Sequence, residues 1–360
     1  MPKQQPLIQA STYQIVFQEM GYNLLNKIIK ENNYSKIFIV VDQNSNEYCL
    51  PKLLPLLETE VAIEIVELED GEENKTIETC IQIWKVLLEL GADRKSLIIN
   101  LGGGVITDMG GFIASTFKRG ISFVNIPTTL LAMVDASVGG KNGIDFGGLK
   151  NQIGTITNPV LVIIDSGFLS TLPQNQLKSG LAEMLKHGLI AKKSHWNAFK
   201  DLKNINFNDF DALIFESIEI KNNIVTQDPT ENGIRKALNF GHTLGHAIET
   251  YFLENSSKPN LLHGEAIAAG MVLESYISLQ KNLLTNSEFL EIKNQLHSVF
   301  EIIKMDGNDY QDIINLLIHD KKNEYGNVQY ALLNSIGKCI VNQTTDNETI
   351  NKAFLEYKKY

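Results

Sequence analysis

The stretch Ile98-Ile-Asn-Leu-Gly-Gly-Gly-Val-Ile-Thr-Asp-Met-Gly-Gly-Phe112 joins a strand pattern to three consecutive glycines and then to a helix pattern. Consecutive glycines allow a backbone to approach a diphosphate closely, and the N-terminus of the following helix directs N–H groups at it. Thr107 stands where a strict Gly-x-Gly-x-x-Gly motif has its third glycine. The segment therefore predicts a strand-to-helix turn that either binds a dinucleotide or serves only as a tight turn.

Segments on either side of this turn alternate short β-branched runs with amphipathic stretches, the pattern of βαβ units around a mainly parallel sheet. The amphipathic stretch Thr76–Leu90 has nearly helical spacing and stops at Gly91. The strands predicted in this half are Lys36–Val41, Val61–Leu68, Ser96–Leu101, Ser122–Ile126 and Leu161–Asp165. This half therefore predicts an α/β domain.

The periodicity changes near Leu169, beyond which strand signals fade and helical spacing dominates. The predicted helices are Ser179–Ala191, Asp209–Thr226, Ile234–Tyr251, His263–Lys281, Ser287–Phe300 and Tyr310–Ile318. A late strand pair is predicted at Asn327–Leu333 and Lys338–Asn342. We therefore expect two domains, an α/β domain over residues 1–169 and a mainly helical domain over residues 170–360.

The chain of 360 residues carries 32 Lys and Arg against 42 Asp and Glu, a formal net charge of −10. This balance excludes a global positive field for nucleic acid or an anionic membrane, so an anionic partner would need a local cationic cluster. No apolar run approaches the roughly 20 residues that span a bilayer. Met1–Ile8 shows no secretion-signal pattern, and Cys49, Cys80 and Cys339 form no CxxC pair, so we expect a cytoplasmic protein without a thiolate zinc site.

A polar segment follows the glycine-rich turn, first in Ile126–Ile144 and then in Gly148–Asn151. Its hydroxyl, carboxylate, amide and ammonium groups suit phosphate or polyol oxygens, and they belong to Thr128, Thr129, Asp135, Lys141, Lys150 and Asn151. A polar surface loop would explain the same residue types. The apolar run Leu130–Met133 favours a partly buried ligand site over a fully exposed loop.

His242 and His246 are four residues apart within Asn239–Glu249, so they share one face of a helix. The His-x-x-x-His spacing between flanking glycines indicates a metal site, although single histidines are more often structural. A zinc site needs a further ligand, and Glu183 and His263 are both candidates. Three nitrogen and oxygen ligands without a thiolate would leave an open coordination position, which favours catalysis over a structural role.

Basic and polar residues recur through the second half of the chain. A solvated helix face explains each of them alone, but together with Lys141 and Lys150 they could form one cationic pocket for a small polyanion. They are Lys186, Lys221, Arg235, Asn239 and the triplet Asp320-Lys321-Lys322.

In their order along the chain, these motifs resemble those of the 3-dehydroquinate synthase family of sugar-phosphate cyclases. The resemblance runs from about Asp42 to Leu333. Its segments are Asp42 with Asn44, Gly71–Lys75, Gly102–Asp108, Phe117–Gly120, Pro127–Ala132, Asp135–Lys141, Leu149–Asn151, Gly180–Lys186, Leu238–Glu249, His263–Glu265 and Asp320–Lys322. Each segment is weakly specific by itself, whereas the ordered set is strongly specific.

The resemblance implies a Rossmann-like NAD-binding domain, a helical metal- and substrate-binding domain, and an active site between them. One Zn²⁺ or Co²⁺ ion per subunit would be held by Glu183, His242 and His263. NAD would be contacted by Asp42, Asn44, Glu72, Lys75, Gly103, Gly104, Val105, Asp108, Thr128, Thr129, Lys141 and Lys150. Catalytic and substrate-binding groups would be Asp135, Lys141, Asn151, Lys186, Lys221, Arg235, Asn239, His246 and one or both of Lys321 and Lys322. Arg119 would reach the substrate of the neighbouring subunit in a homodimer.

The implied reaction converts 3-deoxy-D-arabino-heptulosonate 7-phosphate to 3-dehydroquinate and phosphate in the shikimate pathway. It is a carbon–oxygen lyase reaction with transient oxidation of C5 by NAD, phosphate elimination, re-reduction and intramolecular aldol closure, assisted by the metal as a Lewis acid. Alternatives are a cyclase acting on sedoheptulose 7-phosphate or glucose 6-phosphate, and a metal-dependent polyol dehydrogenase. A catalytically silent NAD- or metal-binding scaffold is the alternative from a different class.

Overall fold

The computed structural model describes residues 7–147, 149–200, 207–317 and 328–359. The chain divides into two compact units, Met1–Pro173 and Gln174–Tyr360. The first contains a seven-stranded sheet with accompanying helices, and the second is built mainly of helices. This architecture confirms the predicted fold class, an α/β domain with a mainly parallel sheet followed by a helical domain.

The first unit combines the main sheet, a separate hairpin and five α-helices among its described residues. Its strands are β1 (Leu7–Gln9), β2 (Gln14–Phe17), β3 (Ile37–Asp42), β4 (Ile63–Leu68), β5 (Leu97–Gly102), β6 (Ser122–Pro127), β7 (Lys141–Phe146), β8 (Leu149–Ile156) and β9 (Leu161–Ile164). Its helices are α1 (Gln18–Asn32), α2 (Gln43–Tyr48), α3 (Leu50–Leu53), α4 (Ile77–Glu89) and α5 (Gly104–Thr116). The main sheet has the order β1-β2-β9-β6-β5-β3-β4, and every neighbouring pair is parallel except β1 with β2.

The central strands form because their side chains are apolar on both faces. All six residues of β5 are buried, as are residues Ile37–Val41 of β3. A parallel strand that is covered on both faces is a continuous apolar run, not an alternating one. On one face, Phe38 and Ile98 pack in a core with residues of α4 and α5. The glycine-rich turn therefore starts from a fully buried strand.

The position of β3 creates a crevice at one edge of this sheet. Because β3 lies between β4 and β5, the chain moves outward to β4 and then returns past β3 to form β5. In an open parallel sheet, such a reversal leaves a crevice at the carboxyl ends of the two strands, where nucleotides bind. Asp42 ends β3 and Gly102 ends β5. The fold thus places a predicted acidic residue and the glycine-rich turn on the two sides of one crevice.

Strands β7 and β8 form an antiparallel hairpin outside the main sheet, within the polar segment that the sequence predicts to bind a ligand. The hairpin follows Gly139 and Gly140, whose φ angles are +106° and +66°. A Cβ atom on Gly140 would lie 2.3 Å from Oδ1 of Asn158. The left-handed φ angle and this contact both favour glycine at this turn, which brings Lys141 to the first position of β7.

The second unit contains eight α-helices and one hairpin among its described residues. The helices are α6 (Gln174–Ala191), α7 (Lys193–Ala198), α8 (Phe207–Gln227), α9 (His242–Glu254), α10 (His263–Gln280), α11 (Asn286–Val299), α12 (Gly307–Leu316) and α13 (Asn347–Tyr357). The hairpin joins β10 (Tyr330–Ser335) to β11 (Lys338–Gln343), which confirms the predicted strand pair. The predicted element ends Ile318 and Asn327 lie outside the described residues. In the described part of the chain, no helix combines the length and the apolar character that crossing a membrane requires.

The prediction of one continuous helix over Ile234–Tyr251 is wrong. A short 3-10 helix spans Ile234–Asn239, and α9 begins only at His242. Gly241 separates the two with a φ angle of +78°, a left-handed conformation that interrupts helical geometry. The break makes His242 the first residue of a new helix.

Candidate active site

The N-terminus of α5 lies directly after the glycine-rich turn. Gly103 is its N-cap residue, and none of the described side chains caps the helix. The N–H of Thr128 donates to the carbonyl of Gly102 (2.9 Å), and a Cβ atom on Gly103 would lie 3.1 Å from Cγ2 of Thr129. Thr107 is buried, and its hydroxyl lies 3.3 Å from the carbonyl of Gly103. Residues predicted to contact NAD therefore meet at an uncapped helix N-terminus, which suits a diphosphate.

Asp42 ends β3 and Asn44 follows it, on the other side of the crevice. The carboxylate of Asp42 accepts a hydrogen bond from the N–H of Ser45 (2.7 Å), and the N–H of Asp42 donates to the hydroxyl of Ser45 (2.9 Å). Nδ2 of Asn44 donates to Oδ2 of Asp70 (2.8 Å). The capping pair fixes an acidic side chain at the carboxyl end of β3, beside the crevice.

Lys75 lies buried inside a cluster of charged and polar side chains in the first unit. Its Nζ donates to Oδ2 of Asp108 and to Oδ1 of Asn151, both at 2.8 Å. Oε1 of Glu72 lies 3.7 Å from this ammonium and also 3.7 Å from Nζ of Lys150. The structure thus brings Asn151, a predicted substrate residue, into contact with a predicted NAD residue.

The charges in this cluster depend on one another. Burial by itself would lower the pKa of Lys75, but the carboxylates of Asp108, Glu72 and Asp145 outweigh that effect and raise this pKa. Lys75 is therefore charged at physiological pH. Burial raises the pKa of Asp108, against the lowering influence of Lys75. Lys75 is buried whereas Asp108 and Glu72 are partly exposed, and its ammonium compensates their charges. Removing the ammonium would leave these carboxylates without this compensating cation.

The remaining predicted residues of the first unit lie on separate segments. Asp135 belongs to a π-helical turn, Ala132–Ala136, a conformation frequent at functional sites, and Lys141 begins β7. Arg119 is exposed in the connection between α5 and β6. Lys118 and Arg119 have positive φ angles of +49° and +73°. Such strain in residues other than glycine supports the hypothesis that this turn has a function.

Three helices of the second unit bring one carboxylate and three imidazoles together. Nε2 of His242 and Nε2 of His263 lie 3.4 Å and 3.5 Å from the same oxygen of Glu183, Oε1. His242, His246 and His263 each place a potential ligand atom within 4.8 Å of the other two. The rings of His242 and His246 are 5.1 Å apart on one face of α9. All four candidate ligands identified from the sequence thus lie in one cluster.

His242 and His263 have their other ring nitrogens engaged outside this cluster. Nδ1 of His242 lies 3.1 Å from the carbonyl oxygen of Phe240, and Nδ1 of His263 lies 3.4 Å from Oε2 of Glu249. Carbonyl and carboxylate oxygens accept hydrogen bonds, so each Nδ1 carries a proton and Nε2 faces Glu183. Metal-binding histidines are usually oriented in this way.

The cluster is rich in negative charge. Burial would lower the pKa of His263, but the carboxylates of Glu249 and Glu183 outweigh burial and raise this pKa to about 9. Glu183 is fully buried, and within the described residues neither of its oxygens makes a hydrogen bond of normal geometry, although Nζ of Lys186 forms an ion pair with Oε2. A buried carboxylate needs a cation beside it. Its Oε1, facing two imidazole nitrogens, therefore fits a divalent metal ion.

Lys186, Lys221 and Arg235 are all buried, which rejects the alternative that they belong to solvated helix faces. The guanidinium of Arg235 donates to the carbonyl of Pro229 (2.7 Å). Asn239 ends the 3-10 helix before α9 and donates from Nδ2 to Oε1 of a neighbouring glutamate, Glu231 (2.8 Å). Lys186, Lys221 and Arg235 thus give the second unit buried cations of the kind that an anionic ligand requires.

Sequence reasoning missed three carboxylates of this unit, Glu231, Glu249 and Glu274. Glu249 ends the motif that contains both histidines of α9, but only the fold places it beside His263. No signal in the sequence marks Glu274, because its partners lie about 30 residues earlier in the chain. The predicted substrate residues Lys321 and Lys322 lie outside the described residues.

Two solved structures share this fold over nearly the whole chain. A 2-deoxy-scyllo-inosose synthase complexed with carbaglucose-6-phosphate, NAD⁺ and Co²⁺ has a TM-score of 0.83 at 24% identity, covering 98% of this chain and 99% of its own. The 2-epi-5-epi-valiolone synthase of Streptomyces hygroscopicus, with NAD⁺ and Zn²⁺ bound, has a TM-score of 0.81 at 26% identity, covering 97% of this chain and 98% of its own. These similarities confirm the fold.

Sequence comparison identifies the family to which the chain belongs. The 3-dehydroquinate synthase of Parabacteroides distasonis is 42% identical over 338 residues, which cover 93% of this chain and 95% of that protein. Residues 65–179 match the family described as 3-dehydroquinate synthase N-terminal, and residues 180–323 match the one described as 3-dehydroquinate synthase C-terminal. The chain therefore belongs to the 3-dehydroquinate synthase family.

Proposed function

We propose that this chain is a 3-dehydroquinate synthase, which converts 3-deoxy-D-arabino-heptulosonate 7-phosphate to 3-dehydroquinate and phosphate. The observation that carries the proposal is the cluster in which Nε2 of His242 and Nε2 of His263 face one oxygen of the buried Glu183. The relative at 42% identity over most of the chain bears the same name. Site chemistry and family membership thus support one activity.

Glu183, His242 and His263 would hold one divalent metal ion, zinc or cobalt. Two imidazole nitrogens and one carboxylate oxygen form a three-ligand set that leaves coordination positions open for a substrate. The solved relatives contain Co²⁺ in one case and Zn²⁺ in the other, which supports this assignment. His246 would contact the substrate, the role that the resemblance to the family implies, and its ring lies 5.1 Å from that of His242.

NAD would bind at the crevice between β3 and β5. Asp42 would accept from the ribose, and the N-terminus of α5 at Gly103 and Gly104 would receive the diphosphate. Both solved relatives have NAD⁺ bound, which supports the cofactor. We accordingly assign residues 1–169 to an NAD-binding domain and residues 170–360 to a metal- and substrate-binding domain.

When bound, NAD supplies a reversible hydride acceptor and the metal ion supplies Lewis acidity toward substrate oxygens. The chain itself supplies fixed cations for a substrate with a phosphate and a carboxylate. Lys186, Lys221 and Arg235 are buried, so their charges act in a low dielectric and are held in place before the substrate arrives. They stabilise the negative charge that develops as phosphate leaves. We assign supporting contacts to Asp135, Lys141, Asn151, Asn239 and His246.

The same cations favour a particular substrate among sugar phosphates. The heptulosonate substrate carries a carboxylate as well as a phosphate, whereas sedoheptulose 7-phosphate and glucose 6-phosphate have no carboxylate. Lys221, Arg235 and Asn239 provide more cationic and amide groups than a phosphate alone needs. The cyclases that share the fold are 24% and 26% identical, against 42% for the 3-dehydroquinate synthase relative.

We further propose a cytoplasmic homodimer in which Arg119 reaches the substrate of the neighbouring subunit. Arg119 is exposed, and its positive φ angle of +73° holds the side chain at the end of a strained turn. The measurement is light scattering together with activity. A fully active monomer would contradict this role of Arg119.

A substrate panel tests the proposed function. Purified protein with NAD and Zn²⁺ is incubated separately with the three sugar phosphates, and phosphate release is followed over time. We expect release from 3-deoxy-D-arabino-heptulosonate 7-phosphate to exceed release from the other two. Release from that substrate at the background rate would reject the proposal, and NADH accumulation with polyols would favour a polyol dehydrogenase.

A further inference from the structure

Helices α9 and α10 approach each other along a seam of three glycines, Gly241, Gly245 and Gly270. A Cβ atom on Gly270 would lie 2.0 Å from the carbonyl oxygen of Gly241, and one on Gly245 would lie 3.1 Å from the carbonyl oxygen of Ala266. The two backbones therefore approach too closely to admit a side chain at this seam. His242 begins α9 and His263 begins α10, so the seam joins the helices that carry two of the three proposed metal ligands.

Glu274 extends the contact beyond the glycines. It lies on α10, three helical turns after His263, and it is fully buried. Its Oε2 accepts a hydrogen bond from the N–H of Gly241 (2.6 Å), and its Oε1 accepts one from the N–H of Leu244 (3.1 Å). These two N–H groups lie on either side of His242, in a first turn that has no N-cap side chain of its own.

The two hydrogen bonds restrain the first turn of α9 in two directions. N–H groups at a helix N-terminus lack helical partners, and a carboxylate there also complements the helix dipole. Because the accepting oxygens contact N–H groups three residues apart, they resist rotation of the turn as well as its displacement along α10. Either movement would shift Nε2 of His242, which lies 3.4 Å from Oε1 of Glu183.

We infer that Glu274 is a positioning residue for the proposed metal site. Its carboxylate locks the first turn of α9 onto α10 and thereby sets the affinity of the Glu183, His242 and His263 cluster for a divalent metal ion. The inference rests on the proposed function, because it takes His242 as a metal ligand. Glu274 acts through the backbone on both sides of that histidine.

The test compares Glu274→Gln with Ser278→Ala in the full-length chain. Ser278 is buried one turn further along α10, where its hydroxyl donates to the carbonyl of Glu274 (2.8 Å) and accepts from the N–H of Leu333 (3.1 Å). Ser278→Ala removes a buried polar contact between α10 and β10, whereas Glu274→Gln removes one between α10 and α9. The two variants therefore separate general loss of stability from loss of ligand position.

Metal-depleted wild type and variants are titrated with Zn²⁺ against a chromophoric chelator, and Co²⁺ absorption reports the ligand geometry. Glu274→Gln lowers the Zn²⁺ affinity about 10- to 100-fold, the usual effect of losing a group that orients a metal ligand, and alters the Co²⁺ spectrum. Ser278→Ala lowers Tm but leaves both readouts unchanged. An unchanged Zn²⁺ affinity in Glu274→Gln would overturn the inference. Absence of Zn²⁺ binding by the wild type would instead contradict the proposed function.

A second variant keeps the inference testable if Glu274→Gln does not fold. In Gly245→Ala, the new Cβ atom would lie 3.1 Å from the carbonyl oxygen of Ala266 and 3.1 Å from Cα of Ile267, two backbone atoms of α10, and would press α9 away from α10. Zn²⁺ affinity then falls although Glu274 is intact. Folded Gly245→Ala with wild-type affinity would also overturn the link between the seam and the metal site.

Discussion

Nδ1 of His263 lies 3.4 Å from Oε2 of Glu249, so a carboxylate of α9 orients the histidine that begins α10. The reverse relationship also holds, because Glu274 of α10 accepts hydrogen bonds from the first turn of α9, which carries His242. Each helix thus supplies one proposed metal ligand and a carboxylate that holds the ligand of the other helix. This exchange explains how two helix N-termini can keep their imidazoles on one carboxylate, that of Glu183.

Replacing Glu249 by Gln should weaken metal binding. The amide keeps the side-chain size but removes the charge that fixes the imidazole of His263, so we expect Zn²⁺ affinity to fall about 10- to 100-fold. Chelator competition measures the change. Glu254→Gln is the matched control, because this exposed glutamate on the same helix undergoes the same loss of charge. Equal affinities for the two variants would contradict the orienting role of Glu249.

Lys75→Met should destabilise the first unit strongly. The substitution leaves Asp108, whose oxygen lies 2.8 Å from the ammonium, without its cation. Breaking a fully buried pair costs about 3 to 5 kcal/mol, and the partial exposure of Asp108 makes that range the upper limit here. We expect a large fall in Tm, weaker NAD binding, and partial recovery of Tm when Asp108→Asn is added. Lys85→Met, at an exposed position of α4, is the control and should be nearly neutral. If both lysine variants have the Tm of the wild type, Lys75 does not stabilise this cluster.

Gly140→Ala and Gly147→Ala separate backbone strain from steric conflict. Both glycines have left-handed φ angles, +66° and +61°, so both substitutions incur about 1 to 2 kcal/mol of strain. The new Cβ atom at Gly140 would lie 2.3 Å from Oδ1 of Asn158. At Gly147, no atom of the described residues lies within 4 Å of the new Cβ atom. We expect Gly140→Ala to lose more Tm and to reduce substrate affinity, because Lys141 follows directly. Thermal unfolding that gives equal losses would show that the contact with Asn158 is unimportant.

The stability of the second unit should decrease in mild acid because of His297. Burial, with a smaller contribution from Lys293, lowers the pKa of His297 from 6.5 to about 4, and its ring lies 5.3 Å from that of Tyr357 on α13. Between these two pKa values the unfolded chain binds more protons than the folded chain, so stability falls as pH decreases through this window.

His297→Phe keeps an aromatic ring against Tyr357 and removes this titration. Because His297 is partly exposed, solvent screening reduces the effect of its titration on the free energy of unfolding to about 1 kcal/mol. This corresponds to about 2 to 4 °C in Tm. Measurements of Tm against pH should give a shallower slope for the variant than for the wild type. Parallel slopes would mean that other groups account for the acid sensitivity.

The central strands and the metal-ligand candidates could be predicted from sequence because their signals are local. Strands β3 and β5 are apolar runs covered on both faces, and His242 and His246 have helical spacing within one motif. The break before α9 could not be predicted from spacing, because it depends on the left-handed conformation of Gly241. The helical spacing of apolar residues continues through Gly241, so it predicts one uninterrupted helix.

The supporting carboxylates could not be predicted because their roles arise only from tertiary contacts. Glu249 faces a histidine 14 positions later, and Glu274 contacts a backbone N–H group 33 positions earlier. In the sequence each is one helical glutamate among many. The β7–β8 hairpin was likewise predicted only as a ligand-binding segment, since its polar residues and glycines lack the alternation that identifies strands.

The most direct test of the proposed function follows phosphate and NADH in one reaction. Zinc-loaded enzyme with a stoichiometric amount of NAD is mixed with excess 3-deoxy-D-arabino-heptulosonate 7-phosphate. We predict many equivalents of phosphate per enzyme without net NADH accumulation, because the hydride returns to the substrate in each turnover, and we predict that chelator treatment abolishes release until Zn²⁺ is restored. Accumulation of NADH in step with turnover, or phosphate release that does not depend on metal, would contradict the proposed function.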